Sequence, residues 1–191
     1  MELTDEAVMR SFQAGDRQAL QQLFQRYKLR ILNFCLRLLG NRADAEEISA
    51  DVFLTLLVEK DRFDPTRKFS TWLYTIARNK CMSRLRTRGL LIFEPASTDP
   101  ERSDEWEAPD LKTPAWEELA KEELAARVQQ AIERLPDGQK AAIILRHYHE
   151  FSYDEIGQIM DCSLDKVKIL IFRARARLRL ELAAVLRREQ Q

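Results

Sequence analysis

Apolar residues recur at intervals of three and four along most of the chain and rarely alternate at two, so the elements they predict are helices. Thr4 and Asp5 open a short helix that Gly15 stops, and Asp16 caps a long one running to Leu39 before Gly40. Leu20, Leu23, Phe24, Tyr27, Ile31, Phe34 and Leu38 give the long helix one apolar face over its whole length. Asn41 caps a third helix, about 42–59, with Ile48, Phe53, Leu56 and Leu57 on its apolar side and acids in its first turn, where they oppose the helix dipole. A polar loop, 60–68, leads to Ser70, which is expected to cap a fourth helix reaching about Arg88. In that helix Trp72, Leu73, Ile76 and Ala77 face inward, while Arg78, Lys80, Arg84, Arg86 and Arg88 lie mainly outside.

The pattern fails over 90–112, where Glu94-Pro95, Asp99-Pro100 and Pro109-Asp110 punctuate a run of Asp, Glu and Ser. It resumes at Thr113-Pro114 with a helix to Leu135, and Pro136-Asp137-Gly138 starts another through about His149. Ser152-Tyr153-Asp154-Glu155 has the form of a capping box. Behind it come a short helix with Ile156, Ile159 and Met160 on one face, a break at Asp161-Cys162-Ser163, and a second helix. The second helix has Leu164, Val167, Ile171, Ala174, Leu178 and Leu182 as its seam. Most of its cations lie off that seam, which makes a helix-turn-helix with a basic outer face. The fold class expected is all-α: two small helical domains, 1–89 and 113–191, joined by a flexible acidic linker, 90–112, the second containing the helix-turn-helix.

Composition changes the picture through the distribution of charge. The net charge of zero conceals 16 basic against 11 acidic residues over 1–89, 3 against 11 over 90–124, and 12 against 9 over 125–191. Two basic helical blocks joined by an acidic tether point to two contacts with nucleic acid. Cys35, Cys81 and Cys162 are far apart and odd in number, so neither a disulfide framework nor a zinc knuckle is encoded, and a reducing cytoplasm fits. His147 and His149 stand two apart on a helix and point to different sides, so no metal and no cofactor is expected. The first residues lack the apolar core of a signal peptide and no window reaches the length of a membrane span, so no membrane contact is expected either.

Around the fourth helix, Phe63, Phe69, Trp72 and Tyr74 are interleaved with Arg67, Lys68, Arg78, Asn79, Lys80 and Arg84. Aromatic faces stack on unpaired bases while cations follow phosphates, the combination used by single-strand sites. The same aromatics also fit a core under a solvated basic face, and spacing does not separate the two. Asp44, Glu46, Glu47 and Asp51, with Leu54 in reach, have no histidine or phosphate loop beside them; they read as a docking surface for a basic partner, and nothing in the chain reads as an enzyme.

Four segments resemble, in order, those of bacterial sigma factors of the small extracytoplasmic-function group. Gly15-Asp16-Arg17-Gln18-Ala19-Leu20 with Tyr27 is similar to the family's opening helix, and Ala43 to Ile48 with Val52-Phe53 to its core-docking helix. Phe69 to Asn79 resembles the promoter-melting segment, and Leu135-Pro136 followed by Tyr153 to Leu178 the domain that binds the minus-35 element. The resemblance implies a detachable specificity subunit with four kinds of contact. Asp44, Glu46, Glu47, Asp51 and Leu54 would dock on the beta-prime clamp of RNA polymerase core, and the second domain would meet the beta flap. The loop from Phe63 to Phe69 would hold a flipped base, with Arg67, Lys68, Trp72, Arg78, Asn79, Lys80 and Arg84 at the minus-10 element. Ser163, Asp165, Lys166, Lys168, Arg173, Arg175 and Arg177 would meet the minus-35 element, since Ile169 and Leu170 stand where relatives carry polar residues. An anti-sigma factor is implied on family grounds. The alternative on the residues alone is a free-standing helix-turn-helix repressor.

Overall fold

The computed structural model describes residues 3–92 and 126–188, and within them every regular element is helical. The expected linker beyond Ile92 and the expected helix start at Thr113 lie outside the described residues. Local capping sets the first three helices, α1 (Asp5–Gln13), α2 (Arg17–Leu39) and α3 (Arg42–Val58). Thr4 Oγ1 accepts from the Ala7 amide at 3.3 Å, Asp16 from Gln18 at 2.8 Å and Asn41 from Asp44 at 3.0 Å. Gly40 ends α2 at φ 67°, a left-handed geometry that glycine adopts without strain.

The fourth helix departs from expectation. α4 (Phe69–Thr87) begins one residue before Ser70, and its first free amide is satisfied from outside: the Glu6 carboxylate of α1 accepts from the Phe69 N–H at 3.0 Å. That cap is contributed from 63 residues away, beyond the reach of any local pattern. Between α2, α3 and α4 the core closes on Leu23, Ile31, Phe34, Val52, Leu56 and Leu73, with Val8, Met9 and Phe12 of α1 covering one end. Leu57, expected inside, is instead exposed, while Val52 is buried. Cys35 and Cys81 are fully buried neighbours; a hydrogen bond that the Cys81 thiol donates to Cys35, together with burial, pushes the Cys81 thiol up, which makes it inert core. Burial, with a hydrogen bond to Asp5, likewise raises Tyr27 and keeps its phenol protonated.

The second half comprises α5 (described over 126–133), α6 (Asp137–Tyr148), α7 (Tyr153–Met160) and α8 (Leu164–Arg188). Both bonds of the capping box form: the Ser152 amide donates to Glu155 at 2.8 Å and the Glu155 amide to Ser152 Oγ at 3.2 Å. Asp161 ends α7 at φ 52°, as a short polar side chain can. The turn is tight because of Gly157, where an added Cβ would lie 3.0 Å from the Cys162 carbonyl oxygen; the sequence reading overlooked this glycine. In α8 Leu164 is exposed and Leu170, placed off the seam above, is buried beside Gly138.

The two halves are not separate beads. The buried apolar cluster runs from one into the other, α4 packs on α7 and α2 on α6. The end of the first half is also tied to the second, since Ile92 and Asp137 exchange hydrogen bonds of 2.8 and 3.0 Å. None of the described helices is long and apolar enough to cross a membrane.

Candidate nucleic-acid interface and docking face

The basic face of α4 follows from its register. Leu73, Tyr74, Ala77, Cys81 and Leu85 are buried at spacings of one, three and four, which turns Asn79 and Arg86 to solvent and leaves Arg78 and Lys80 half-buried at the margins. Arg67 and Lys68, just before the helix, are exposed. Asp64 organises the turn that presents them, accepting from the Thr66 amide at 2.9 Å and its hydroxyl at 2.7 Å, and those two bonds hold its carboxyl below the usual range.

The aromatic residues do not present stacking faces. Phe63 is 3% exposed and Phe69 0%, and their rings meet edge to face at 5.7 Å, with Tyr27 against Phe69 at 5.4 Å and Trp72 against Phe63 at 5.3 Å. The expectation that Phe63 and Phe69 hold a base is corrected here: both rings support the loop from beneath, because burying them against α2 and α4 is worth more than exposing them. Trp72 keeps a partly exposed edge.

Arg84 is also reassigned. Its guanidinium reaches Asp44 at 2.5 Å and both oxygens of Glu47 at 2.5 and 2.9 Å, so it fastens α4 to α3. These two carboxylates, Glu47 first, push the Arg84 pKa up, and Arg84 in turn draws that of Glu47 down. Arg88 holds the other oxygen of Asp44 at 2.6 Å. Asp44, expected on the docking surface, is 5% exposed and belongs to this clasp.

What remains of the acidic helix face is mixed in character. Glu46 and Glu47 are exposed at one end of α3 and Asp51 is half-buried. Toward the other end Leu54 is 58% exposed and Val58 79%, with Leu57 beside them. An apolar strip of this kind with acids at one end is a helix face without a partner among the described residues. The sequence reading found Leu54 but missed Leu57 and Val58; a strict helical wheel through Leu54 places Leu57 and Val58 on its side.

On α8, Ser163 Oγ accepts from the Lys166 amide at 3.3 Å, so Ser163 is the helix cap as well as a surface residue. Asp165, Lys166 and Lys168 are exposed, with Lys168 reaching Asp165 at 3.4 Å, whereas Arg173, Arg175 and Arg177 are half-buried further along. The exposed start of α8 follows the sharp turn at Asp161, the presentation that places a recognition helix in a major groove. No group of three or more His, Cys, Asp or Glu among the described residues is placed to hold a metal ion.

Residues 23–90 match the family described as Sigma-70 region 2, and residues 125–178 the one described as Sigma-70, region 4. The ECF RNA polymerase sigma factor SigW of Bacillus subtilis (strain 168) is 35% identical over 95% of this chain and 98% of its own length. The ECF RNA polymerase sigma-E factor of Escherichia coli (strain K12) is 32% identical over 91% of this chain and 92% of its own. Among solved structures, CnrH in complex with the cytosolic domain of CnrY matches with a TM-score of 0.70 at 25% identity, covering 94% of this chain and 97% of that one. The sigma factor RpoE of Bartonella quintana, solved with the anti-sigma factor NepR, shares the fold at a TM-score of 0.63 and 24% identity, covering 85% of this chain and 96% of that one.

Proposed function

The chain belongs to the ECF sigma factors of RNA polymerase, and from that premise we propose how its surfaces divide the work of a promoter-recognising subunit. Residues 1–89 dock on polymerase core and open the minus-10 element, 90–112 connect, and 113–191 bind the minus-35 element. Glu46, Glu47 and Asp51 with the strip at Leu54, Leu57 and Val58 meet the beta-prime clamp, and the second domain meets the beta flap. Arg67, Lys68, Arg78, Asn79 and Lys80, with the edge of Trp72, follow the separated strand. Asp165, Lys166 and Lys168 are the first contacts on the upstream duplex, with Arg173, Arg175 and Arg177 behind them. The chain works in the cytoplasm as a transcription regulator without chemistry of its own, and an anti-sigma factor completes its partners on family grounds. A free-standing repressor is not favoured, since a repressor has no use for an exposed apolar strip on α3, outside the helix-turn-helix.

The observation that carries this division is that the two basic surfaces, on α4 and at the start of α8, sit on separate supports, each with its own capped turn. Asn79 tests it best, because it is exposed on α4 and takes no part in the clasp. Asn79→Ala in holoenzyme is expected to reduce open complex about 10-fold, equal to ~1.4 kcal/mol, while upstream-element binding persists. Permanganate reactivity of the melted strand measures this, and normal reactivity removes Asn79 from the strand path.

A further inference from the structure

α1 lies before residue 23, where the match to Sigma-70 region 2 begins, and none of the DNA or polymerase contacts proposed above falls on it. Its side chains nevertheless hold both ends of the loop that offers Arg67 and Lys68. At the near end Gln13 Nε2 donates to the Lys60 carbonyl at 2.8 Å and to the Phe63 carbonyl at 2.9 Å. The grip is returned, since Lys60 Nζ donates to the Phe12 and Gln13 carbonyls at 3.4 Å and lies 5.2 Å from the centre of the Phe12 ring. That places a cation at the C-terminal end of α1, where the helix dipole favours it. At the far end the Glu6 carboxylate accepts from the Phe69 amide at 3.0 Å. The bonds from Gln13 and Glu6 span 47, 50 and 63 positions of sequence.

α1 is a firm base for these bonds. Val8, Met9 and Phe12 are buried, and Asp5 holds Arg26 of α2 at 2.6 Å and accepts from the Tyr27 hydroxyl. The loop, by contrast, has little order of its own. It consists of one tight helical turn, Lys60–Arg62, and the turn that Asp64 organises, and Phe63 is its one buried side chain. Ordering such a stretch costs conformational entropy, and a strand that meets a loop already ordered binds without that cost.

We propose that α1 is a brace for strand recognition, in which Gln13 and Glu6 are positioning residues that fix Arg67 relative to α4. The inference rests on the assignment of Arg67 and α4 to the separated strand. Arg67 is the cation that the brace governs most directly. It stands between the two braced points, Phe63 and Phe69, its side chain is 80% exposed, and its ion pair with Asp64 is loose at 3.8 Å. Lys68, by comparison, also reaches Glu155 at 2.7 Å. The chemistry of the Gln13 amide makes the grip, because two carbonyl acceptors require its nitrogen, with two donors, to face the loop. Glu6 supplies a single acceptor oxygen to one backbone N–H. Both act through the loop backbone and need no contact with DNA.

The test compares variants in holoenzyme, by anisotropy of a labelled single-stranded oligomer carrying the non-template strand of the melted region of a promoter that the wild-type holoenzyme opens. Gln13→Met keeps the length of the side chain and loses both donors; Glu6→Ala loses the acceptor, and Glu6→Gln restores one. Strand affinity is expected to fall about 5-fold for Gln13→Met and for Glu6→Ala and to stay within about 2-fold of wild type for Glu6→Gln, with binding of the upstream duplex unchanged in all three. Arg67→Ala alone is expected to weaken strand binding about 5-fold, and adding Gln13→Met to it to cost less than about 2-fold more, since the brace then has no cation to position. Wild-type affinity for Gln13→Met and Glu6→Ala, with Arg67→Ala weakened, overturns the brace and leaves the strand assignment standing. A loss from Gln13→Met that is undiminished in the Arg67→Ala chain makes the effect general and overturns the positioning. Where Gln13→Met also loses the upstream duplex, the mark of a damaged fold, the Glu6 pair in the same two backgrounds decides. Wild-type affinity for Arg67→Ala places the fault in the assignment of the loop to the strand, and the brace falls with it.

Discussion

Asp44→Ala is expected to cost the first half of the molecule about 2–3 kcal/mol and to lower its melting temperature by roughly 10 °C or more. Asp44 is nearly buried and holds Arg84 and Arg88 at 2.5 and 2.6 Å, the contacts that clasp α3 to α4. Removing one partner from such a cluster strands the others: Arg84 keeps only Glu47, and Arg88 loses the oxygen it holds. The full penalty for a buried pair is about 3–5 kcal/mol, and the partial exposure of both guanidinium groups, 19% and 47%, brings it down. Glu46→Ala, two residues away on the solvent side with only the exposed Arg42 pair at 2.8 Å to lose, is expected to change stability by less than about 0.5 kcal/mol. Thermal unfolding followed by circular dichroism distinguishes them, and equal effects would mean that the clasp carries no weight.

Leu54→Asp should do the reverse, leaving the fold intact and removing the docking of core polymerase. The side chain is 58% exposed, so the free chain loses little apolar burial. In a complex it becomes the middle of a strip with Leu57 and Val58, where a carboxylate has to be desolvated without a partner. An anchor of this type is worth ~2 kcal/mol or more, which is about 30-fold in affinity. Titration of labelled chain with core polymerase measures it, and an unchanged dissociation constant with the same melting temperature would take this face of α3 out of the interface.

These two residues show where reading the sequence reached its limit. Asp44 and Glu46 belong to one acidic run and look equivalent by charge and spacing. Only the position of Arg84, 40 residues further on, decides that one is a clasp and the other a surface group. Features decided within a few residues were legible: the caps at Thr4, Asp16, Asn41 and Ser152, the left-handed turns at Gly40 and Asp161, and the basic second helix. Features decided by distant neighbours were not. Phe63 and Phe69 turn inward because Tyr27 and Trp72 complete their cage. α4 starts at Phe69 because Glu6 caps it. Leu170 is buried because Gly138 leaves it room, while Leu164 stays exposed. Periodicity gives a face to a helix but does not say which neighbour it meets. The packing of the second half on α4 had no local signal, since its contacts join distant residues, as where Tyr74 meets His149, 75 residues away.

Transcription reconstituted on fragmented genomic DNA from the source organism, with core polymerase and with the chain added or withheld, is the most direct test of the central claim. Mapped 5′ ends should show discrete new starts only when both components are present, sharing upstream elements at a fixed spacing, and Leu54→Asp should abolish them. Duplex binding by the chain alone, with no new start in the presence of core polymerase, would contradict the account.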